Sequence, residues 1–183
     1  MRNNFNVAFI NQCTEAEGPG KHLAIWFQGC DKRCFGCCNP ELFDFKQANI
    51  LSLDEMLKII INAKNEFNII GVTYLGGEPT LQNGLLELSK EIRKADLGII
   101  LFTGNKAEEI DNNFFSAVDI IIDGKYEIDK PDNKRNLVGS ANQNIIFITE
   151  RYKKNEDWFY NYRPKQLEIN INDGIFITGD KAL

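Results

Sequence analysis

No stretch of the chain approaches the roughly 18 consecutive apolar residues of a membrane span, so a bilayer-crossing helix is excluded. The opening residues, Met1-Arg2-Asn3-Asn4-Phe5-Asn6, carry neither an apolar signal core nor an Arg- and Ser-rich transit pattern. A cytoplasmic protein is expected. Positive charge is in short supply: 21 Lys and Arg against 26 Asp and Glu give a net charge of −5. That balance exerts no long-range pull on nucleic acid or an anionic membrane, and neither is expected as a partner. There is no low-complexity tract and no fixed-period repeat. Histidine occurs once, as His22 in an apolar run, where a lone imidazole more often serves structure than ligation. What remains is ordinary: 43% hydrophobic and 26% charged residues over 183 positions, a chain that buries about 70% of its unfolded surface without disulfides. A single domain over 1–183 is expected, with a core of about 5–150 and a lid or hairpin over about 151–183.

Cysteine is the exception. Of five, Cys30, Cys34, Cys37 and Cys38 fall within nine residues. An odd count, so tightly clustered and without a secretion signal, argues for a metal or cluster rather than disulfides.

Short β-branched runs alternate with helical patterns. Asn6–Ile10, His22–Gln28, Ile69–Leu75, Leu97–Phe102 and Val118–Ile122 read as strands. Ser52-Leu53-Asp54-Glu55 is a capping box opening a helix whose apolar face is Leu53, Met56, Leu57, Ile60 and Ile61. Leu81, Leu85, Leu88 and Ile92 mark a second helix, and about Lys106 to Phe115 a weaker one. Such alternation predicts βαβ units and a parallel sheet. Eight units need about 250 residues, so a partial, open barrel is expected. The loops Cys30–Cys37, Gly76–Pro79, Thr103–Asn105 and Asp123–Lys125 each follow a strand and should converge on one rim, where parallel sheets bind ligands. Beyond Asp129 the pattern changes: Ile145–Thr149 reads as a strand and Arg151–Arg163 as a helix or lid. Leu167–Ile171 and Ile175–Thr178 read as a β-hairpin around Asn172-Asp173-Gly174.

Cys30-Asp31-Lys32-Arg33-Cys34-Phe35-Gly36-Cys37 is C-x3-C-x2-C. Three thiolates on one loop can hold three irons of a [4Fe–4S] cubane and leave the fourth open to a substrate or cofactor. On spacing alone, zinc completed by Cys38, Cys13 or His22 stays open, as does a four-cysteine electron-transfer cluster using Cys38. Cys13 and Cys38 also read as bystander thiols. One βα unit later comes Gly76-Gly77-Glu78-Pro79. Its glycines allow the backbone to approach a ligand, and Glu78 offers a carboxylate to an ammonium group. The plainer reading is a strand-to-helix turn with Pro79 at its first position.

Together these motifs resemble the radical S-adenosylmethionine (SAM) superfamily, whose signature is CX3CXΦC. Gly36 stands at the aromatic Φ position, with Phe35 one place earlier. Gln28-Gly29-Cys30, the run Cys34 to Phe43, Gly76–Pro79, Thr103-Gly104, Asp123-Gly124-Lys125-Tyr126-Glu127 and Gly139-Ser140-Ala141-Asn142-Gln143 follow in an order similar to the activating proteins of anaerobic (class III) ribonucleotide reductase. The match runs from about Glu17 to Gln143. Two positions depart from it: Cys38 replaces a more usual aromatic, and Phe102 replaces an Asp that in some relatives helps bind a cation.

The resemblance implies a radical SAM (β/α) partial barrel and a [4Fe-4S] cluster ligated by Cys30, Cys34 and Cys37. It implies SAM contacts from Gly76, Gly77, Glu78, Thr103, Gly104, Asp123 and Lys125. It implies an oxidoreductase that cleaves SAM reductively and places a glycyl radical on the large subunit of an anaerobic ribonucleotide reductase, fed by a flavodoxin- or ferredoxin-type electron donor. The alternatives are a small radical SAM enzyme acting elsewhere, as a peptide maturase or deazapurine synthase, or a non-enzymatic zinc or electron-transfer module.

Overall fold

The computed structural model describes residues 4–161, 164, 167–171 and 175–179. In chain order it has β1 (Asn4–Thr14), β2 (His22–Phe27), β3 (Asn49–Ser52), α1 (Leu53–Phe67), β4 (Gly71–Gly76), α2 (Leu85–Lys94) and β5 (Gly98–Phe102). Then come α3 (Asn112–Phe115), β6 (Ile120–Asp123), β7 (Asn144–Phe147), α4 (Glu156–Tyr160), β8 (Leu167–Ile171) and β9 (Ile175–Gly179). The capping box works as its sequence implies. The Ser52 hydroxyl accepts the Glu55 N–H at 3.3 Å, and Glu55 Oε2 accepts the Ser52 N–H at 2.8 Å. The pattern over Lys106–Phe115 does not make one helix; it makes a 3-10 turn at Ala107–Glu109 and the four-residue α3. Ile110 closes the first, and Asp111 caps the second by accepting the Asn113 N–H, which splits the run.

Seven strands form one sheet in the order β3-β1-β2-β4-β5-β6-β7. The four central strands are parallel, as the βαβ alternation predicts. Both flanks are antiparallel, which it does not predict: β1 pairs β2 and β3, and β7 pairs β6. A single short connection without a crossover helix joins β1 to β2, so those neighbours reverse direction. The sheet is therefore mixed.

Side chains alternate across it. Leu23, Val72, Ile99, Leu101 and Ile121 pack with Met56 and Ile60 of α1 and Leu85, Leu88 and Ile92 of α2. On the opposite face Ile100, Ile120 and Ile122 pack with Tyr152 and Phe159. Those two residues belong to the segment expected to be a helix or lid. Through residue 161 it is a 3-10 helix (Glu150–Asn155) followed by α4, and it plugs the second face of the sheet. Tyr162 and Arg163, the end of that expected segment, lie outside the described residues.

The plug meets a buried polar chain. Thr73 Oγ1 donates to the Glu17 carbonyl at 2.7 Å, so the 2.9 Å contact with His22 Nδ1 has the imidazole donating. Nε2 then accepts the Tyr152 hydroxyl at 3.2 Å. Complete burial lowers the His22 pKa to about 3 and holds the ring neutral.

β8 and β9 pair antiparallel as a separate two-stranded sheet; the expected turn at 172–174 lies outside the described residues. This sheet docks beside the end of β1, where Glu168 Oε1 accepts the Glu15 N–H at 2.9 Å and Glu17 Oε1 accepts the Gly179 N–H at 3.1 Å. No helix among the described residues is long and apolar enough to cross a membrane.

Candidate functional site

The parallel strands end together at Phe27, Gly76, Phe102 and Asp123, and the loops Cys30–Cys37, Gly76–Pro79, Thr103–Asn105 and Asp123–Lys125 lie at those ends. Cys30 follows β2. Its backbone N–H donates to the Phe43 carbonyl at 3.1 Å, and the Gly29 N–H donates to Leu42 at 2.9 Å, which closes the chain from 29 to 43 into a loop. Burial pushes the Cys30 thiol pKa up, while the backbone N–H groups of Arg33 and Lys32 bond its sulfur and pull it down. The Cys37 thiol is pushed up by its hydrogen bond with the Cys38 side chain and then by burial. It also accepts the Asn39 N–H at 3.4 Å. Backbone N–H groups aimed at sulfur suit thiolates that carry charge into a cluster.

Among the described residues no three His, Cys, Asp or Glu side chains converge on a point that would hold one metal ion. A cubane asks for no such convergence, because each thiolate has its own iron. Two zinc completions are removed by the strand geometry. Thr14 pairs with His22, so Cys13 and His22 both lie at the start of β2, more than about 15 Å from Cys30 at 3.3 Å per residue. Cys38 is exposed beside Cys37. Three soft thiols on one loop, two of which (Cys30 and Cys37) receive backbone N–H groups, fit an iron–sulfur cluster.

The second loop is locked to the first. Gly77 N–H donates to the Phe27 carbonyl at 2.8 Å and Glu78 N–H to the Gly29 carbonyl at 2.9 Å. A Cβ on Gly77 would stand 2.2 Å from the Gly29 oxygen, and one on Gly76, whose φ is +101°, 2.4 Å from the Phe27 nitrogen. The glycines are thus required by the backbone that leads into Cys30, and not only by a ligand. Pro79 opens a 3-10 turn over Pro79–Leu81, and the helix begins later, at Leu85.

The Glu78 carboxylate is wholly buried and already employed. Oε1 accepts the Thr80 N–H at 3.1 Å, the Thr80 hydroxyl at 2.7 Å and the Thr103 hydroxyl at 2.8 Å. Oε2 accepts the Gly104 N–H at 2.8 Å. Glu78 therefore ties the loop after β4 to the loop after β5. Sequence reasoning offered it as an ammonium partner and did not see this strut. Thr103 and Gly104 come to the same point by donating to it.

Asp123 and Lys125 do not meet. Asp123 is buried: Oδ2 accepts the Ala107 N–H at 2.9 Å, and Oδ1 accepts the Asn144 N–H at 3.1 Å and its side-chain amide at 2.8 Å. The Lys125 side chain points to solvent. The cation beside Asp123 is Lys106, whose Nζ lies 3.8 Å from Oδ1 and donates to the Asn142 carbonyl at 3.1 Å. Sequence reading stopped at the Thr103–Asn105 turn and missed Lys106; the basic residue directly after that turn was the available signal.

Gly139–Gln143 has an internal logic. Gln143 Oε1 accepts the N–H groups of Gly139 at 3.0 Å and Ser140 at 3.1 Å, and its amide donates to the Gly124 carbonyl at 2.9 Å. Asn142 donates to the Lys125 carbonyl at 2.8 Å. Its Oδ1 is the one buried side-chain oxygen or nitrogen among the described residues without a hydrogen-bond partner.

The family model described as "4Fe-4S single cluster domain" matches residues 16–146. The anaerobic ribonucleoside-triphosphate reductase-activating protein of Enterobacteria phage T4 is 29% identical over 157 residues, 82% of this chain and 99% of that protein. The protein of the same name from Haemophilus influenzae is 31% identical over 146 residues, covering 74% and 91% of the two chains. The pyruvate formate-lyase-activating enzyme of Clostridium pasteurianum is 37% identical over 81 residues, 41% of this chain and 34% of that protein.

Proposed function

Because the chain belongs to the 4Fe-4S single cluster domain family, we propose that it is a radical SAM activase that installs a glycyl radical on an anaerobic ribonucleotide reductase. The single observation that carries this reading is the locking of the Gly76–Glu78 loop onto the backbone leading into Cys30, at 2.8 and 2.9 Å. That contact puts the cluster loop and the expected cofactor loop at one rim. The reductase-activating relatives align over nearly their whole length and the formate-lyase relative over about a third of its own, which favours a reductase as partner.

Cys30, Cys34 and Cys37 would hold the cluster. When bound, a reduced cluster would supply one electron for reductive cleavage of SAM, and that cleavage would supply the hydrogen-abstracting power needed at the glycine Cα. The protein's own part is placement. Backbone N–H groups of Lys32, Arg33 and Asn39 stabilise the cysteine sulfurs. Glu78 fixes Thr103 and Gly104 beside that loop, so the SAM contacts from Gly76, Gly77, Thr103 and Gly104 come from one braced frame. Asp123 orders the next loop with Lys106 as its cationic neighbour, and Asp123 and Lys125 keep the SAM contacts expected of them. A glycine suits the reaction, since its Cα lacks a side chain and its peptide can enter closely.

We further read the mixed sheet as the open, partial barrel of radical SAM enzymes, with a flavodoxin- or ferredoxin-type donor and a cytoplasmic setting. The ligand assignment is tested by Cys30→Ala after anaerobic reconstitution: the variant should lose cluster absorbance and dithionite-driven 5′-deoxyadenosine formation together. Retention of both would overturn it.

A further inference from the structure

We propose that Phe35, Ile128 and Phe45 form the surface that grips the glycine-bearing segment of the partner reductase, an inference that rests on the activase reading above. Phe35 projects from the loop between Cys34 and Cys37 and is 83% exposed; Phe45 is 66% and Ile128 42% exposed. They come from three stretches of chain around one mouth: the cysteine loop, the return toward β3, and the segment after β6.

Two of them are seated. A Cβ on Gly36 would stand 2.5 Å from Ile128 Cδ1, and one on Gly29 2.8 Å from Phe45 Cδ1. Ile128 and Phe45 therefore rest on Gly36 and Gly29, at the two ends of the ligand loop, and Phe35 is the residue directly before Gly36. Large apolar side chains held in water beside a reaction site mark a contact surface.

Three of the basic groups near this mouth are paired locally: Lys32 with Asp31 at 3.1 Å, Arg33 with Asp44 at 3.2 Å and Lys130 with Glu127 at 2.6 Å. Lys46 and Lys125 are exposed at its edge. The complement of the three apolar side chains is a segment with apolar residues flanking the glycine. A glycine has no side chain to be recognised, so its neighbours must be held instead, and aromatic anchors serve such contacts well.

The test measures glycyl radical formation against reductase concentration, with dithionite as reductant, for wild type and for Phe35→Ser, Ile128→Ser and Phe45→Ser. Each variant should raise the KM for reductase about tenfold, while SAM cleavage without reductase stays within about twofold of wild type. Should Phe35→Ser load its cluster poorly, the other two lie outside the C-x3-C-x2-C loop and carry the test. An unchanged KM in the cluster-loaded variants overturns the proposal. So does a loss seen with flavodoxin as donor but not with dithionite, which would assign the surface to electron transfer. Failure of wild type itself to make the radical would instead overturn the activase reading.

Discussion

Gly77 lies so close to Gly29 that a Cβ on it would stand 2.2 Å from the Gly29 carbonyl oxygen. This contact, one residue before Cys30, joins the two loops on which the site depends. Gly77→Ala must push the loops apart, because a backbone oxygen cannot swing aside as a side chain can. We expect reconstituted Gly77→Ala to hold less than half the wild-type iron and to unfold several degrees lower, measured by iron and sulfide analysis and thermal denaturation. Full loading at an unchanged Tm would show that the contact is unimportant.

Glu78 presents four hydrogen-bonded contacts from buried oxygens. In Glu78→Gln one oxygen becomes an amide donor, which faces either the Gly104 N–H or the threonine donors. A loss of about 1–3 kcal/mol is expected from urea unfolding. Thr103→Val removes one donor from the same carboxylate and should cost less, about 1 kcal/mol.

Much of this was legible in the sequence. The strands from His22, Ile69, Leu97 and Val118, the capping box at Ser52 and the shared rim of motif loops follow from periodicity and local chemistry. β3 was not legible: Asn49–Ser52 is a strand only because β1 pairs with it, and nothing in its four residues demands that. Glu78 illustrates the limit at the site. Its residue type suggested an ionic partner, but its four donors come from Thr80, Thr103 and Gly104, and the second and third reach it only through the parallel pairing of β4 with β5. The role of Lys106 depends likewise on where β6 ends.

The Arg151–Tyr160 segment is part of the core, not a detachable cover. Phe159 is completely buried and packs edge-on against Phe147, with centroids 5.4 Å apart. Phe159→Ala should cost about 3–5 kcal/mol in equilibrium unfolding. A loss below about 1 kcal/mol would return the segment to the status of a lid.

His22 imposes a pH dependence. Its pKa falls from 6.5 in the unfolded chain to about 3 in the fold. Below pH 6.5 the unfolded state gains a proton that the folded state does not. The stability this site contributes is therefore complete above that value and drains away as pH falls toward 3. Between pH 7.5 and 5.5 the loss should be about 1.4 kcal/mol, visible as a lower urea midpoint. His22→Gln, lacking the titration, should have a flatter profile; the same slope in the variant would point to another group.

The central claim is that this chain places a radical on a glycine of another protein. Anaerobic electron paramagnetic resonance tests it most directly, using reconstituted, dithionite-reduced protein to which SAM and then an anaerobic ribonucleotide reductase are added. A cluster signal that changes with SAM, followed by a glycyl doublet on the reductase, is the expected result. A fully loaded cluster that ignores SAM, or a SAM response with no doublet on the reductase, would contradict the claim.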